Sequence, residues 1–166
     1  AGAHFGHKAS KRHPKMAPFI FTSRNDVHVI DLEKTQEKLK EVLADIKKMA
    51  VEGKVILFAS TKPQARDIVR QAATDCGMPY MVERWLGGLI TNFTELKKLF
   101  FKYNKMKEEK ASGEWEKYTK KEQVDFAKQL EKMDKVLSGI TNLTKLPDVL
   151  FVPAMQCEKT AILEAN

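Results

Sequence analysis

Apolar residues along this chain change period three times. Phe19-Ile20-Phe21 and Val27-His28-Val29-Ile30 are short β-prone runs around the turn-rich Ser23-Arg24-Asn25-Asp26, which predicts a small hairpin. His28, between two valines, reads as a strand residue on the polar face rather than a ligand. Asp31 stands where a helix cap belongs, ahead of Leu32, Leu39, Val42, Leu43, Ile46 and Met49 at helical spacing, with Gly53 as the stop. Val55-Ile56-Leu57-Phe58-Ala59 is a continuous apolar run, the mark of a parallel strand covered on both faces. Thr61 is the predicted N-cap of the next helix and Pro63 its first residue. That helix carries Ala65, Ile68, Val69, Ala72 and Cys76 on one face and ends at Gly77. Pro79-Tyr80-Met81-Val82 then resumes as a strand, which makes a βαβ unit with its usual right-handed crossover.

From Leu89 the period lengthens. Leu89, Phe93, Leu96, Phe100 and Tyr103 follow a coiled-coil seam, and so do Phe126, Leu130, Met133, Leu137 and Ile140. Two antiparallel helical arms are expected, with the tip at Ala111 to Lys117, and Thr119 with Glu122 forming a capping box. Arms of about twenty residues reach roughly 30 Å. Gly139 closes the hairpin, Pro147 to Val152 returns to strand composition, and Glu158 to Asn166 reads as a helix. The predicted fold is therefore α/β: a Rossmann-like, mostly parallel sheet with an inserted antiparallel α-helical hairpin and a basic N-terminal arm. Residues 1–25 are the arm, 26–90 and 139–166 the sheet domain, and 91–138 the insertion.

Charge gives this layout its first functional meaning. The chain of 166 residues has a net charge of +7, which favours a polyanionic partner. Residues 1–25 hold Lys8, Lys11, Arg12, Lys15 and Arg24, three histidines and no acid. Gly2, Gly6, Pro14 and Pro18 argue against a continuous helix, so an irregular arm is expected, one that repels itself until phosphate orders it. The spacing of His4, His7 and His13 lacks the cysteine or carboxylate partners a metal site needs. An arm lying on a membrane would need an amphipathic period, which is absent. No apolar run approaches the ~18 residues of a membrane span. Cys76 and Cys157 form no CxxC pair and read as buried thiols of a reducing compartment.

The joint between sheet and hairpin is Arg84-Trp85-Leu86-Gly87-Gly88. Adjacent glycines permit positive φ or a close backbone approach. Arg84 is a fork suited to phosphate, or else to a neighbouring carboxylate, and Trp85 is an apolar anchor with one donor to satisfy. A phosphate-cradling loop would need glycines between Ala59 and Ala65, and none is there. Lys62 could still hold one phosphate of a polymer. The lysines of the first arm, Lys97 and Lys98 with Lys102, Lys105 and Lys107, stand out from a surface of otherwise mixed sign. No nucleophile–base constellation is visible, and Asp26, Asp31 and Asp148 would form an acid–base pair only through tertiary accident.

The stretches Ala1-Gly2-Ala3-His4-Phe5-Gly6-His7, Pro14-Lys15-Met16, Arg24-Asn25, Ile30-Asp31-Leu32, Thr61-Lys62, Arg84-Trp85-Leu86-Gly87-Gly88 with Thr91-Asn92, and Leu146-Pro147-Asp148 share one order with a known family. By these motifs the whole chain resembles small-subunit ribosomal protein two of the bacterial or organellar type. The resemblance implies a Rossmann-like domain with a helical hairpin, bound to small-subunit ribosomal RNA at the head–body junction on the solvent side. Two departures stand out. Val152-Pro153-Ala154-Met155 replaces a stretch in which the family usually has an acid. Family members also continue past Asn166, so an incomplete sheet with an open edge is expected, and Ala1 in place of Met fits a processed or partial chain.

Together these readings predict a structural, non-enzymatic constituent of the small ribosomal subunit. It would bind ribosomal RNA by phosphate and shape, beside neighbouring small-subunit proteins. The RNA-binding set is His4, His7, Lys8, Lys11, Arg12, His13, Lys15, Arg24, Lys62, Arg84, Lys97 and Lys98, with Trp85, Gly87 and Gly88 as the structural joint. No metal, membrane or small-molecule substrate is expected; magnesium would enter only with the RNA. The expected location is the cytoplasmic ribosome, or an organellar one. The alternative is a non-ribosomal RNA-binding adaptor whose hairpin is a protein-interaction arm.

Overall fold

The computed structural model describes residues 2–166, so Ala1, which opens the first of the matching stretches, lies outside the described residues. The chain forms two compact units, one up to Gly53 and one from Lys54 onward.

In the first unit, β2 (Ile20–Arg24) and β3 (Val27–Ile30) form the expected hairpin, with Arg24 opposite Val27. Asn25 and Asp26 have φ of 50° and 59°, the left-handed pair that a type I′ turn demands and that Asn and Asp tolerate best. One expectation needs correction here, because residues 5–8 are not irregular. They form β1 (Phe5–Lys8), which pairs antiparallel with the free side of β3 and gives the order β1-β3-β2. Gly6 permits it: a Cβ there would stand 2.9 Å from the His28 carbonyl oxygen. Two 3-10 turns, Ala9–Lys11 and Pro14–Phe19, carry the chain on to β2. His28 is a strand residue as predicted, its Nδ1 lying 2.7 Å from Ser23 Oγ.

α1 (Leu32–Val51) starts where Asp31 caps it, the carboxylate accepting the Glu33 N–H at 3.0 Å. It stops before Gly53, whose φ of +71° suits glycine. Its apolar stripe is real but no side chain of it is buried, and Leu39 and Leu43 stay exposed.

The second unit is built on a parallel sheet. β4 (Ile56–Ala59) is its centre, flanked by β5 (Tyr80–Met81) and β6 (Val149–Phe151), with α2 (Pro63–Asp75) connecting β4 to β5. Both pairings are parallel. Pro63 is the first helical residue, but the cap is Lys62 and not Thr61. The Thr61 N–H donates instead to the carboxylate of Glu158, just ahead of the helix. The buried residues of α2 are Val69 and Ala73, while Ile68 is 72% exposed, so the packed stripe is rotated from the predicted one. Both cysteines are free and exposed, which overturns the expectation of buried thiols.

α3 (Phe93–Ala111) and α4 (Lys120–Leu137) contact one another. The Tyr103 hydroxyl donates to Asp134, and nearer the turn the Trp115 and Phe126 rings pack 5.7 Å apart. The chain reverses through Gly113, at φ +77°, and a 3-10 turn at Glu114–Lys117. The capping box at Thr119 and Glu122 is present in both directions. One buried cluster runs from Leu57 and Met81 of the sheet through Leu89 to Tyr103, Leu137 and Ile140, so these helices share the sheet's core. α5 (Lys159–Ala165) adds Ala161 to it.

Gly139 shows what holds the end of α4 to the sheet. Its carbonyl accepts the Tyr80 N–H at 3.0 Å, and a Cβ on it would fall 2.2 Å from the Tyr80 carbonyl oxygen. Gly139→Ala must push β5 away and is expected to cost about 2 kcal/mol or more. Gly53→Ala meets no atom within 4 Å but must keep φ at +71°, so it should cost only about 1 kcal/mol. Thermal melts of the two variants check the ranking; equal losses would remove the close-approach argument.

Candidate nucleic-acid interface

The basic residues of the first unit are spread along its strands and turns. Lys8 ends β1, Lys11 ends the first 3-10 turn, Lys15 lies in the second, and Arg24 ends β2. Arg12 and His13 lie between the turns, where His13 Nδ1 accepts the Lys15 N–H at 3.3 Å. These side chains and that of His7 are exposed, whereas His4 is half-buried with its ring 4.2 Å from that of Phe5. Among the described residues, Lys8, Lys11, Arg12, Lys15 and Arg24 make no ion pair.

Some cations of the second unit are paired. Lys98 pairs with Glu95 at 2.7 Å, Lys107 with Asp134 at 3.1 Å, and Lys135 with Glu131 at 2.9 Å. Lys97 lies over the Phe93 ring at 5.1 Å. Exposed pairs of this kind stabilise little, but they neutralise the local field. Lys62 and Arg84 are exposed, and Arg84 makes no ion pair among the described residues. The structure thus gathers the cations of residues 1–25 in one unit, while Lys62, Arg84, Lys97 and Lys98 belong to the other.

Lys62 borders the carboxyl end of β4, the place where open α/β sheets hold ligands. That end is occupied by the buried Glu158, whose carboxylate accepts the Thr61 N–H. A phosphate docking there would meet a like charge.

Trp85 is buried, 8% exposed. Its indole N–H donates to Glu164 Oε1 at 3.1 Å. The same oxygen accepts the Gly88 N–H at 2.8 Å, and Oε2 accepts the Ile90 N–H at 3.3 Å. Three donors of one loop thus converge on one carboxylate, an anion-binding concavity filled by the chain itself. Gly88 has φ of +86°, which glycine alone adopts cheaply. Gly87 has ordinary φ, and a Cβ on it would meet only Glu164 Oε1 at 3.8 Å. The two glycines are therefore not equivalent. Arg84 projects outward from a loop held on its inner side.

Glu164 is the residue that sequence reasoning missed. It lies 76 positions beyond Gly88, and no local pattern distinguishes it from the other acids. Burial pushes its carboxyl pKa up, but the Gly88 N–H, the Trp85 indole and the N–H groups of Ile90 and Thr91 outweigh that and hold it below the usual range. The carboxyl of Asp134 is lowered as well, by the Tyr103 hydroxyl and by Lys107.

A depressed folded-state pKa means that the stabilisation is complete above the unfolded carboxyl pKa, near 4.5, and fades as pH falls through the folded value. Glu164→Gln should cost on the order of 2 kcal/mol at pH 7. It should also flatten the loss of stability below pH 4.5, leaving the part owed to Asp134 and to the other lowered carboxyls, Glu122, Glu131 and Asp148. Melting temperature against pH for both proteins checks this; parallel curves would count against the assignment. In the same assay Gly88→Ala should destabilise by about 1–2 kcal/mol, with Gly87→Ala close to neutral.

A family model described as Ribosomal protein S2 matches residues 1–166. The chain is similar to the small ribosomal subunit protein uS2 of Porphyromonas gingivalis, 44% identical over 166 residues that cover 100% of this chain and 59% of that protein. Against the protein of the same name from Fusobacterium nucleatum it is 42% identical over 167 residues, covering 100% of this chain and 68% of the relative. The Salinibacter ruber protein of that name is 43% identical over 166 residues, with 100% of this chain and 52% of the relative covered. The chain thus spans about three fifths of the length of the Porphyromonas relative. With a family match over its whole length and these three identities of 42–44%, the chain belongs to the ribosomal protein S2 family.

Proposed function

We propose that this chain is a structural, non-enzymatic constituent of the small ribosomal subunit and binds its ribosomal RNA through phosphate contacts and shape. One observation carries the reading. Lys8, Lys11, Arg12, Lys15 and Arg24 are exposed cations without ion pairs among the described residues, in a stretch of 25 residues that holds no acid. A phosphate backbone supplies the missing partners without requiring base identity. His4, His7 and His13 would add polar contacts around them, and Lys62, Arg84, Lys97 and Lys98 a second set of contacts.

The finer architecture belongs to the same proposal. The parallel order β5-β4-β6 with α2 as crossover supports a Rossmann-like domain. The contact between α3 and α4 supports a coiled-coil hairpin inserted into it, free to meet neighbouring ribosomal proteins. The protein would work in the cytoplasmic ribosome or an organellar one, with magnesium arriving only on the RNA. The names of the relatives, small ribosomal subunit proteins, support the ribosomal reading over a free-standing adaptor.

Replacing Lys11, Arg12 and Lys15 by Ala should lower the slope of log affinity against log salt, for small-subunit ribosomal RNA, by ~2–3 units, about 0.7 to 0.9 per lost phosphate contact. The melting temperature should hardly move, since all three side chains are exposed. Filter binding across a salt series measures the slope. An unchanged slope with a collapsed melting temperature would make these residues structural and end the reading.

A further inference from the structure

We propose that the open face of the β1-β3-β2 sheet is a stacking platform for unpaired RNA bases, with Phe5 and Phe21 as its rings and Arg24 as its phosphate contact. It deepens the RNA-binding reading above and rests on it.

The register places the parts together. Phe5 and Thr22 both stand opposite Val29, and Arg24 stands opposite Val27, so these side chains share one face of the sheet. Phe21 sits at the irregularity between Ile20 and Thr22, where the extra residue turns its ring to the same cleft. That cleft holds about 550 Å³ and is lined by His4, Phe5, Phe21, Arg24 and the two valines. Phe5 is 65% and Phe21 77% exposed, an unusual state for two phenyl rings on one small sheet. The His4 ring leans on Phe5 at 4.2 Å and fixes one edge of the surface.

Charge selects the occupant. No carboxylate lines the cleft, residues 1–25 contain no acid, and Arg24 makes no ion pair among the described residues. Flat apolar rings beside an unpaired guanidinium match a nucleotide, which is a π-face joined to a phosphate. Aromatic side chains stack on any base, so the platform needs no sequence code. A duplex hides its base faces, so the surface should prefer unpaired loops, bulges and ends. The backbone contacts of the neighbouring lysines carry no such preference.

The test uses the full chain with two probes: a ten-residue oligouridine, and an RNA duplex of the same length. Phe5→Ala and Phe21→Ala should each weaken oligouridine binding on the order of tenfold, with duplex binding changed less than twofold. Their salt slopes should match the wild type, whereas Arg24→Ala should lower the slope by about 0.7. Leu at either position keeps the apolar bulk without the ring and should behave like Ala. Phe21→Trp should retain affinity, and its exposed indole should be quenched on binding, since Trp85 and Trp115 are buried. If one Ala variant fails to fold, its Leu partner and Phe21→Trp still decide the outcome. Wild-type affinity in the Ala variants would overturn the platform, as would equal losses on both probes. Variants in which Leu restores binding in full would point to an apolar protein segment as the occupant and also overturn it. An effect of the lysine substitutions with none of the phenylalanine ones would leave the phosphate reading standing alone.

Discussion

The carboxylate of Glu164 is the contact on which the second unit turns. It gathers the Trp85 indole and two backbone N–H groups of the loop that leads from the sheet to α3. A loop with two glycines has many conformations available, and without a common acceptor its donors would turn to water. The acceptor comes from α5, 76 positions on from Gly88, so the path of α3 out of the sheet depends on a distant element. Gly139 performs the matching service where α4 returns, by letting its backbone lie against Tyr80. The two ends of the helical pair are thus fixed by polar backbone geometry, and the apolar cluster fills the space between them.

A second division runs through the charges. In the helical pair, Lys98, Lys105 and Lys135 meet glutamates one turn away and Lys107 meets Asp134 of the other helix. In the first 25 residues the cations stand alone. Their mutual repulsion is held in check by covalent and β-sheet constraints: Lys8 is paired into β1, and Arg24 is fixed by the tight turn that follows it. Strand pairing thus fixes the backbone at Lys8 and Arg24, so that part of the entropy of positioning these two cations has already been lost in folding.

Most of the elements were legible in the sequence because their signals are local. The Asn25-Asp26 turn, the Asp31 cap, the Val55–Ala59 run, the capping box at Thr119 and the two seams each declare themselves within a few residues. What stayed hidden depended on distant partners. β1 has no alternating pattern, and only the approach of Gly6 to His28 explains its pairing. Glu158, which accepts the Thr61 N–H, lies 97 positions away. Of the interface, the cations were visible as charge without acid, whereas Phe21 read as an ordinary strand residue and Phe5 as part of an irregular arm. Their exposure follows from which face of a three-stranded sheet they share, and that is set by register.

The central position of β4 has a consequence for the newborn chain. Its partner β5 follows soon after, but the contact from Val55 to Asp148 that opens the β6 side spans 93 positions. At elongation rates of about 5–20 residues per second, that interval lasts roughly 5–20 s. Throughout it, Ile56, Leu57 and Phe58 present an unpaired apolar edge, the kind of template on which stray strands assemble. The stretch made during the wait is α3 and α4, whose contacts are short in sequence and form orders of magnitude faster than translation. The emerging molecule therefore passes through a stage with finished helices and a half-built sheet, and chaperone binding, if it occurs, should fall within that window.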